Sequence, residues 1–116
     1  MELKEIQELQ KKFSLEHFAK LWEIKNQDDY IHKLQYLVVG LAGEVGEFAN
    51  IVKKISRDHE TLSENPSSER MENLKEELTD CFFYVLITAN FLNIDLETEW
   101  KNKMEFNRKR FEKYKK

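Results

Sequence analysis

Between Ile31 and Ile55, apolar side chains recur at alternating steps of three and four: Ile31, Leu34, Val38, Leu41, Val45, Phe48, Val52 and Ile55. Only a helix with 3.6 residues per turn gathers such a series onto one face, and a stripe this long requires about seven turns. Met71, Leu74, Leu78, Cys81, Val85, Thr88 and Leu92 repeat the pattern further on. Beyond Cys81 the second segment is apolar nearly all round, with Phe82, Phe83, Tyr84, Leu86, Ile87 and Phe91 on its other faces, so it needs cover on several sides.

Turn-forming residues are scarce: 3 Gly and 1 Pro in 116 residues. The clearest break is His59–Ser68, which holds the one proline, Pro66, and a softer one falls at Lys25–Asp29. The predicted elements are a helix over Leu3 to Phe13, a short one over Leu15 to Glu23 capped by Ser14, a long one from after Asp28 and Asp29 to Arg57, a third from after Ser67 and Ser68 to Asn93, and a fourth over Leu96 to Tyr114 capped by Asp95. These make a single all-α domain, residues 1–116, built as an antiparallel four-helix-type bundle. A chain this short buries only a modest core. The expectation is that oligomerisation completes the bundle, as a homodimer or homotetramer formed through the third helix.

Composition narrows the setting. The single cysteine, Cys81, cannot form an internal disulfide, which suits a reducing compartment. The N-terminus is charged and amphipathic rather than signal-like. The apolar stretch from Cys81 to Leu92 is interrupted by Thr88 and Asn90 and falls short of the ~20 residues that span a bilayer. A cytoplasmic protein with no membrane partner is expected. The net charge of −3 argues against a nucleic-acid partner. Charge is nonetheless uneven: residues 101–116 carry a net +6, leaving −9 on the rest. Cations at a helix C-terminus suit its dipole, and they could also meet phosphates.

The chemistry-bearing residues are acidic. Glu44 and Glu47 on the second helix, and Glu77 and Asp80 on the third, form two i, i+3 pairs, each on one helical face. Each carboxylate directly precedes a stripe residue: Val45, Phe48, Leu78 and Cys81. If the two helices pack through their stripes, the four carboxylates converge at the rim of an apolar core, which is untenable without cations. Hard divalent ions with oxygen ligands resolve the repulsion, Mg²⁺ above all when a phosphate chain shares the coordination sphere, with Mn²⁺ as a substitute. The competing reading is a solvated acidic face. Gly40, Gly43 and Gly46, the chain's only glycines, all surround the first acidic pair, where glycine costs about 1 kcal/mol relative to alanine. Close helix approach or room for a ligand would account for them. A di-iron site would want Glu-x-x-His motifs, which are absent, and Cys81 has no second cysteine to support zinc.

These motifs resemble those of the MazG-like nucleotide pyrophosphohydrolases of the all-α NTP pyrophosphatase superfamily. The likeness lies in an E-x-x-E … E-x-x-D pattern, here LAGEVGEFAN and LKEELTDCFFYVL, and in a K-x-x-x-N-x-x-R segment, here Lys103, Asn107 and Arg110. The resemblance implies Mg²⁺-dependent hydrolysis of (deoxy)nucleoside triphosphates to monophosphate and pyrophosphate, with a role in cleaning the nucleotide pool. It implies that Glu44, Glu47, Glu77 and Asp80 bind the metal and serve catalysis, and that Lys103, Asn107 and Arg110 contact the phosphates or sugar. Lys54, on the same face as Glu47, could reach phosphate or be an ordinary surface lysine. His32 stands where some deoxycytidine-triphosphate-cleaving relatives place a base-contacting histidine, or it is simply exposed. Trp22, Trp100 and Phe13 could stack on a base, though packing is their commoner use. Two departures stand out. Gly43 occupies a position where some relatives carry an acid, so the general base is one of the four carboxylates or a hydroxide on the metal. The 29 residues between Glu47 and Glu77 make a long connection. Two alternatives remain: a narrower superfamily member cleaving dCTP, dUTP or phosphoribosyl-ATP, and a non-enzymatic helical interaction module.

Overall fold

The structure is a computed structural model that describes all residues, Met1–Lys116. It contains four α-helices: α1 (Leu3–His17), α2 (Gln27–Leu62), α3 (Ser68–Phe91) and α4 (Leu96–Arg110). Short 3₁₀ turns follow α1 (Ala19–Trp22) and α4 (Glu112–Tyr114). The fold is all-α, as the apolar periodicity requires. No helix is long and apolar enough to cross a membrane.

Side-chain caps set three helix starts. Asn26 Oδ1 accepts from Asp29 N at 2.8 Å, Ser67 Oγ from Arg70 N at 3.1 Å, and Asp95 Oδ1 from Glu97 N at 3.2 Å. Asp28 and Asp29 therefore lie inside the first turn of α2, where their charge suits the dipole, rather than ahead of it. The far end of α2 also differs from expectation, running to Leu62 instead of Arg57. Asp58 anchors these extra turns by pairing with Arg70 of α3 at 2.8 Å, and Ser63, at φ 54°, ends the helix. The predicted ten-residue break thus shrinks to Ser63–Ser67.

Ser14 does not cap a second helix. It is buried within α1, where Gln10 Nε2 donates to its Oγ at 3.5 Å, and the chain stays helical as far as His17. The buried residues of α1 are all polar: Gln7, Gln10 and Ser14. Gln7 knots three elements together. Its Nε2 donates to Asn90 Oδ1 at 3.1 Å and to Ile94 O at 2.6 Å, its Oε1 accepts from Leu96 N at 3.0 Å, and its backbone carbonyl accepts from Asn90 Nδ2 at 3.0 Å.

α2 and α3 pair as a long antiparallel hairpin, with Asp58 meeting Arg70 at one end and Tyr30 stacking on Phe91, 4.9 Å between centroids, at the other. α1 lies on α3, and α4 lies on α1. The hairpin does not pack through the whole of the predicted stripes. Leu34, Leu41, Phe48 and Ile55 turn toward α3, joined by Leu37 and Ile51, whereas Ile31, Val38, Val45 and Val52, spaced by seven, stay 42–57% exposed. On α3, Leu74, Cys81 and Thr88 turn inward while Met71, Leu78 and Val85 stay 38–58% exposed. One broad stripe is thus two adjacent seams, and the chain's own helices cover only one.

Size agrees with incomplete cover of the apolar seams. The radius of gyration is 18.3 Å, where about 13 Å is usual for a compact chain near this length. The accessible surface is 9279 Å², roughly 2,600 Å² more than the ~6,700 Å² of a compact 14.0 kDa monomer.

Candidate metal centre

Midway along the hairpin the inward seam carries carboxylates instead of hydrocarbon. Glu44 on α2 and Glu77 and Asp80 on α3 are each half-buried, and one oxygen from each lies within 4.8 Å of the others. They sit within the seam itself, not at the edge of the stripes, because the seam is rotated toward them. Oε2 of Glu44 and Oε2 of Glu77 are buried without a hydrogen-bond partner. Glu47 is exposed, one turn along α2 from Glu44 and outside the set of three, yet near enough to raise the carboxyls of both Glu77 and Glu44.

The electrostatics follow from this crowding. Glu77 is raised to about 7 by its hydrogen bond to Glu47, by burial, and by the charges of Glu47, Asp80 and Glu44. Burial, then the charges of Glu47 and Asp80, raise Glu44. The Cys81 thiol is pushed up by burial and by Glu44, Asp80 and Glu77. No basic side chain relieves the repulsion, because the ion pairs of the protein lie elsewhere, as in Arg70–Asp58, Lys75–Glu72 and Lys101–Glu97.

A hard divalent cation fits this donor set. Opposite ligands on an octahedral Mg²⁺ stand about 4.2 Å apart, within the spread of the three carboxylates, and Mg²⁺ normally keeps sites for water and substrate phosphate. An ion there would also engage the two orphaned oxygens. The all-oxygen set suits magnesium or manganese better than zinc or copper.

The other predicted site residues are placed less closely. Lys54 lies half-buried on the inner face of α2, about 10 Å along the axis from Glu47. His32 is exposed and about 18 Å along the axis from Glu44, so the chain does not bring it to the carboxylates. Lys103 and Arg110 of α4 lie over the Phe106 ring, at 5.0 and 5.8 Å from its centroid, and Asn107 Oδ1 is buried without a partner. No hydrogen bond or ion pair joins these α4 residues to the carboxylates within one chain. Trp22 packs on Phe91, 6.0 Å between centroids, and Trp100 is exposed on α4.

One hollow borders the cluster and a second lies beyond Tyr84 and Ile87. Glu44 and Asp80 border a groove of about 710 Å³ between α1 and α3, lined by Leu9, Phe13, Phe83 and Tyr84 among others. That volume falls in the usual range for small-molecule sites. A smaller aromatic pocket of about 170 Å³ includes Phe18, Trp22, Tyr36 and Phe91. Tyr84 lines both, and burial with the charges of Tyr36 and Glu44 raises its phenol. In the sequence Tyr84 is one of several aromatic residues on a helix apolar nearly all round. Its i+4 spacing from Asp80 and i+7 from Glu77 was the available signal.

Comparison with known proteins meets this geometry. Residues 32–113 match the MazG nucleotide pyrophosphohydrolase domain, a span that contains both carboxylate pairs and the α4 segment. The chain belongs to this family. Among curated proteins, the MazG-family chain is 43% identical over 70 residues to the gene 37 protein of Mycobacterium phage L5, covering 60% of this chain and 59% of that protein. It is 30% identical over 109 residues to human dCTP pyrophosphatase 1 and 31% identical to the mouse protein, covering 94% of this chain and 58% of each relative. The chain therefore spans a little under six-tenths of the length of these relatives.

Proposed function

We propose that this MazG-family domain hydrolyses (deoxy)nucleoside triphosphates to the monophosphate and pyrophosphate, with Mg²⁺ as cofactor and Mn²⁺ as substitute. The observation that carries the reading is the half-buried, unneutralised set Glu44, Glu77 and Asp80, with two oxygens lacking any partner. Glu44, Glu47, Glu77 and Asp80 would hold the ion. When bound, the metal neutralises phosphate oxygens and lowers the pKa of an attacking water. The apolar walls of Phe13, Phe83 and Tyr84 limit water around the scissile anhydride. With Gly43 exposed and carrying no acid, one of the four carboxylates is the side chain at hand to take a proton from water.

The basic residues of α4 complete the reading. Lys103 and Arg110 supply charge suited to the pyrophosphate leaving group, Arg110 in bidentate fashion, and Asn107 has an unpaired oxygen to offer. Lys54 of α2 would add a further cation for the phosphates, and His32 would serve only at the nucleoside end, well away from the carboxylates. A homodimer or homotetramer buries the outward seams of α2 and α3. The excess surface exceeds the ~1,600 Å² of a standard interface. The role is nucleotide-pool cleaning in the cytoplasm, where substrates abound and Cys81 stays reduced. The similarity to dCTP pyrophosphatase 1 favours a second, narrower reading in which dCTP or a related pyrimidine triphosphate is the substrate.

A panel of nucleoside triphosphates, assayed for pyrophosphate with Mg²⁺ or Mn²⁺, decides between broad and narrow substrate use. If none is cleaved, and neither metal with a non-hydrolysable nucleotide raises the melting temperature, the domain is an interaction module instead.

A further inference from the structure

Because α2 and α3 run antiparallel, the residue one turn before Glu44 meets the residue one turn after Asp80. These are Gly40 and Tyr84. A Cβ built on Gly40 would stand 2.6 Å from Tyr84 Cζ and 2.9 Å from its hydroxyl oxygen. Carbon atoms pack best at about 3.5–4.0 Å, so the Tyr84 ring fills the space any other residue at position 40 would need. Gly43 and Gly46 differ, since a Cβ on either would meet nothing within 4 Å.

The Tyr84 ring has two working sides. One faces the groove that Glu44 and Asp80 border; the other faces the aromatic pocket of Phe18, Trp22 and Phe91. Tyr84 and Ile87 alone line both hollows, so together they are the partition between them. A sugar or base attached to phosphates at the carboxylates has to pass this wall, which begins about 6 Å along α3 from Asp80.

We propose that Gly40 is a positioning residue whose missing Cβ is a notch that holds the Tyr84 ring against α2, and that the ring so held sets where the nucleoside end of a bound triphosphate lies. The inference rests on the reading of Glu44, Glu47, Glu77 and Asp80 as the metal and phosphate site. A methyl on residue 40 and the ring cannot share the notch. The ring is the end of a side chain with two torsions, whereas position 40 is fixed inside a long helix, so the ring is what moves. It swings into the groove or the pocket and obstructs the nucleoside path while leaving the carboxylates in place.

The test compares wild type, Gly40→Ala, Tyr84→Leu and the double variant in steady-state hydrolysis with Mg²⁺, together with their melting temperatures. Gly40→Ala is expected to raise KM about tenfold while kcat changes by less than about threefold, the pattern of binding lost equally from ground state and transition state. In the Tyr84→Leu background, which lacks the clashing atoms, adding Gly40→Ala leaves KM unchanged, because the two residues act as one unit. An unaltered KM in Gly40→Ala overturns the proposal, as do KM effects that multiply in the double variant. If Gly40→Ala fails to fold, a folded double variant with the KM of Tyr84→Leu supports the notch, and an unfolded one overturns it. Wild type that cleaves no triphosphate and binds none overturns this inference along with the functional reading. An active wild type with an indifferent Gly40→Ala overturns this inference alone.

Discussion

Glu77 concentrates the tension in the site. In the folded chain its carboxyl titrates at about 7, against 4.5 unperturbed. Across that window the folded state keeps a proton that the unfolded state has released, so stability falls as pH rises. The metal-free protein should melt at a higher temperature at pH 5 than at pH 8, and Glu77→Gln should flatten the dependence. A melting temperature that rises over this range in the presence of chelator would remove Glu77 from the cluster. Metal has to displace the same proton, so the Mg²⁺ concentration needed for half-maximal stabilisation should fall from pH 6 to pH 8. Calorimetric titration at the two values reads this directly. Asp80→Asn removes one of the three clustered carboxylates proposed to hold the metal. Changing even the outer partners of metal ligands costs about 10- to 100-fold in affinity, and this substitution should cost at least as much and abolish most hydrolysis. Mg²⁺ titration and a pyrophosphate assay on the same preparation report both effects.

At the scale of elements, stability rests on polar joints as much as on hydrocarbon. Gln7 is the clearest case, since removing its amide leaves Leu96 N and Asn90 Oδ1 without their partner in a part-buried place, although Asn90 Nδ2 keeps the backbone carbonyl of residue 7. Each unsatisfied group costs about 1–3 kcal/mol, so Gln7→Ala should destabilise by about 2–4 kcal/mol in urea unfolding, while Glu8→Ala, one residue on and exposed, should stay within about 0.5 kcal/mol. Equal effects at the two positions would show that the knot contributes nothing. What could be read in advance from the sequence follows the same division. Asp95 and Ser67 announce helix starts because capping is local, decided within three residues. Ser14 looks like a cap for the same local reason, yet burial beneath Gln10 overrides it. The end of α2 lies beyond the point its local sequence signals, because Asp58 is held by Arg70, twelve residues away across a turn. The carboxylate pairs were legible as pairs, since i, i+3 spacing is a helical property. Their place inside the seam was not, because a stripe with apolar residues at every third and fourth position does not reveal which half faces inward. Tyr84 went unrecognised because its meaning depends on Gly40 across the helix pair.

The whole molecule poses a problem that one copy does not solve. Ile31, Val38, Val45 and Val52 on α2, with Met71, Leu78, Phe82 and Val85 on α3, form two parallel apolar rows on one side of the hairpin. Spacing by seven keeps such rows aligned along a helix and suits packing against an equivalent pair of helices. A second copy would present the same rows by two-fold symmetry, so self-association would cover both at once. The net charge of −3 offers little long-range repulsion to oppose it. Light scattering after gel filtration should therefore give twice or four times the 14.0 kDa chain mass at micromolar concentration. Leu78→Glu should shift the mass toward the monomer, because burying an unpaired carboxylate costs several kcal/mol while leaving it in water costs nothing. Lys53→Glu, an exposed charged residue beside Val52 but outside the apolar rows, should leave the mass unchanged. The same measurement bears on chemistry, because the rows lie beside Glu44 and Glu77, so losing a partner copy there would loosen the hairpin that holds the carboxylates together. Leu78→Glu should thus lose activity and the Mg²⁺-induced rise in melting temperature together. A wild-type chain of monomer mass at tens of micromolar, fully active, would mean that the exposed rows serve some other surface.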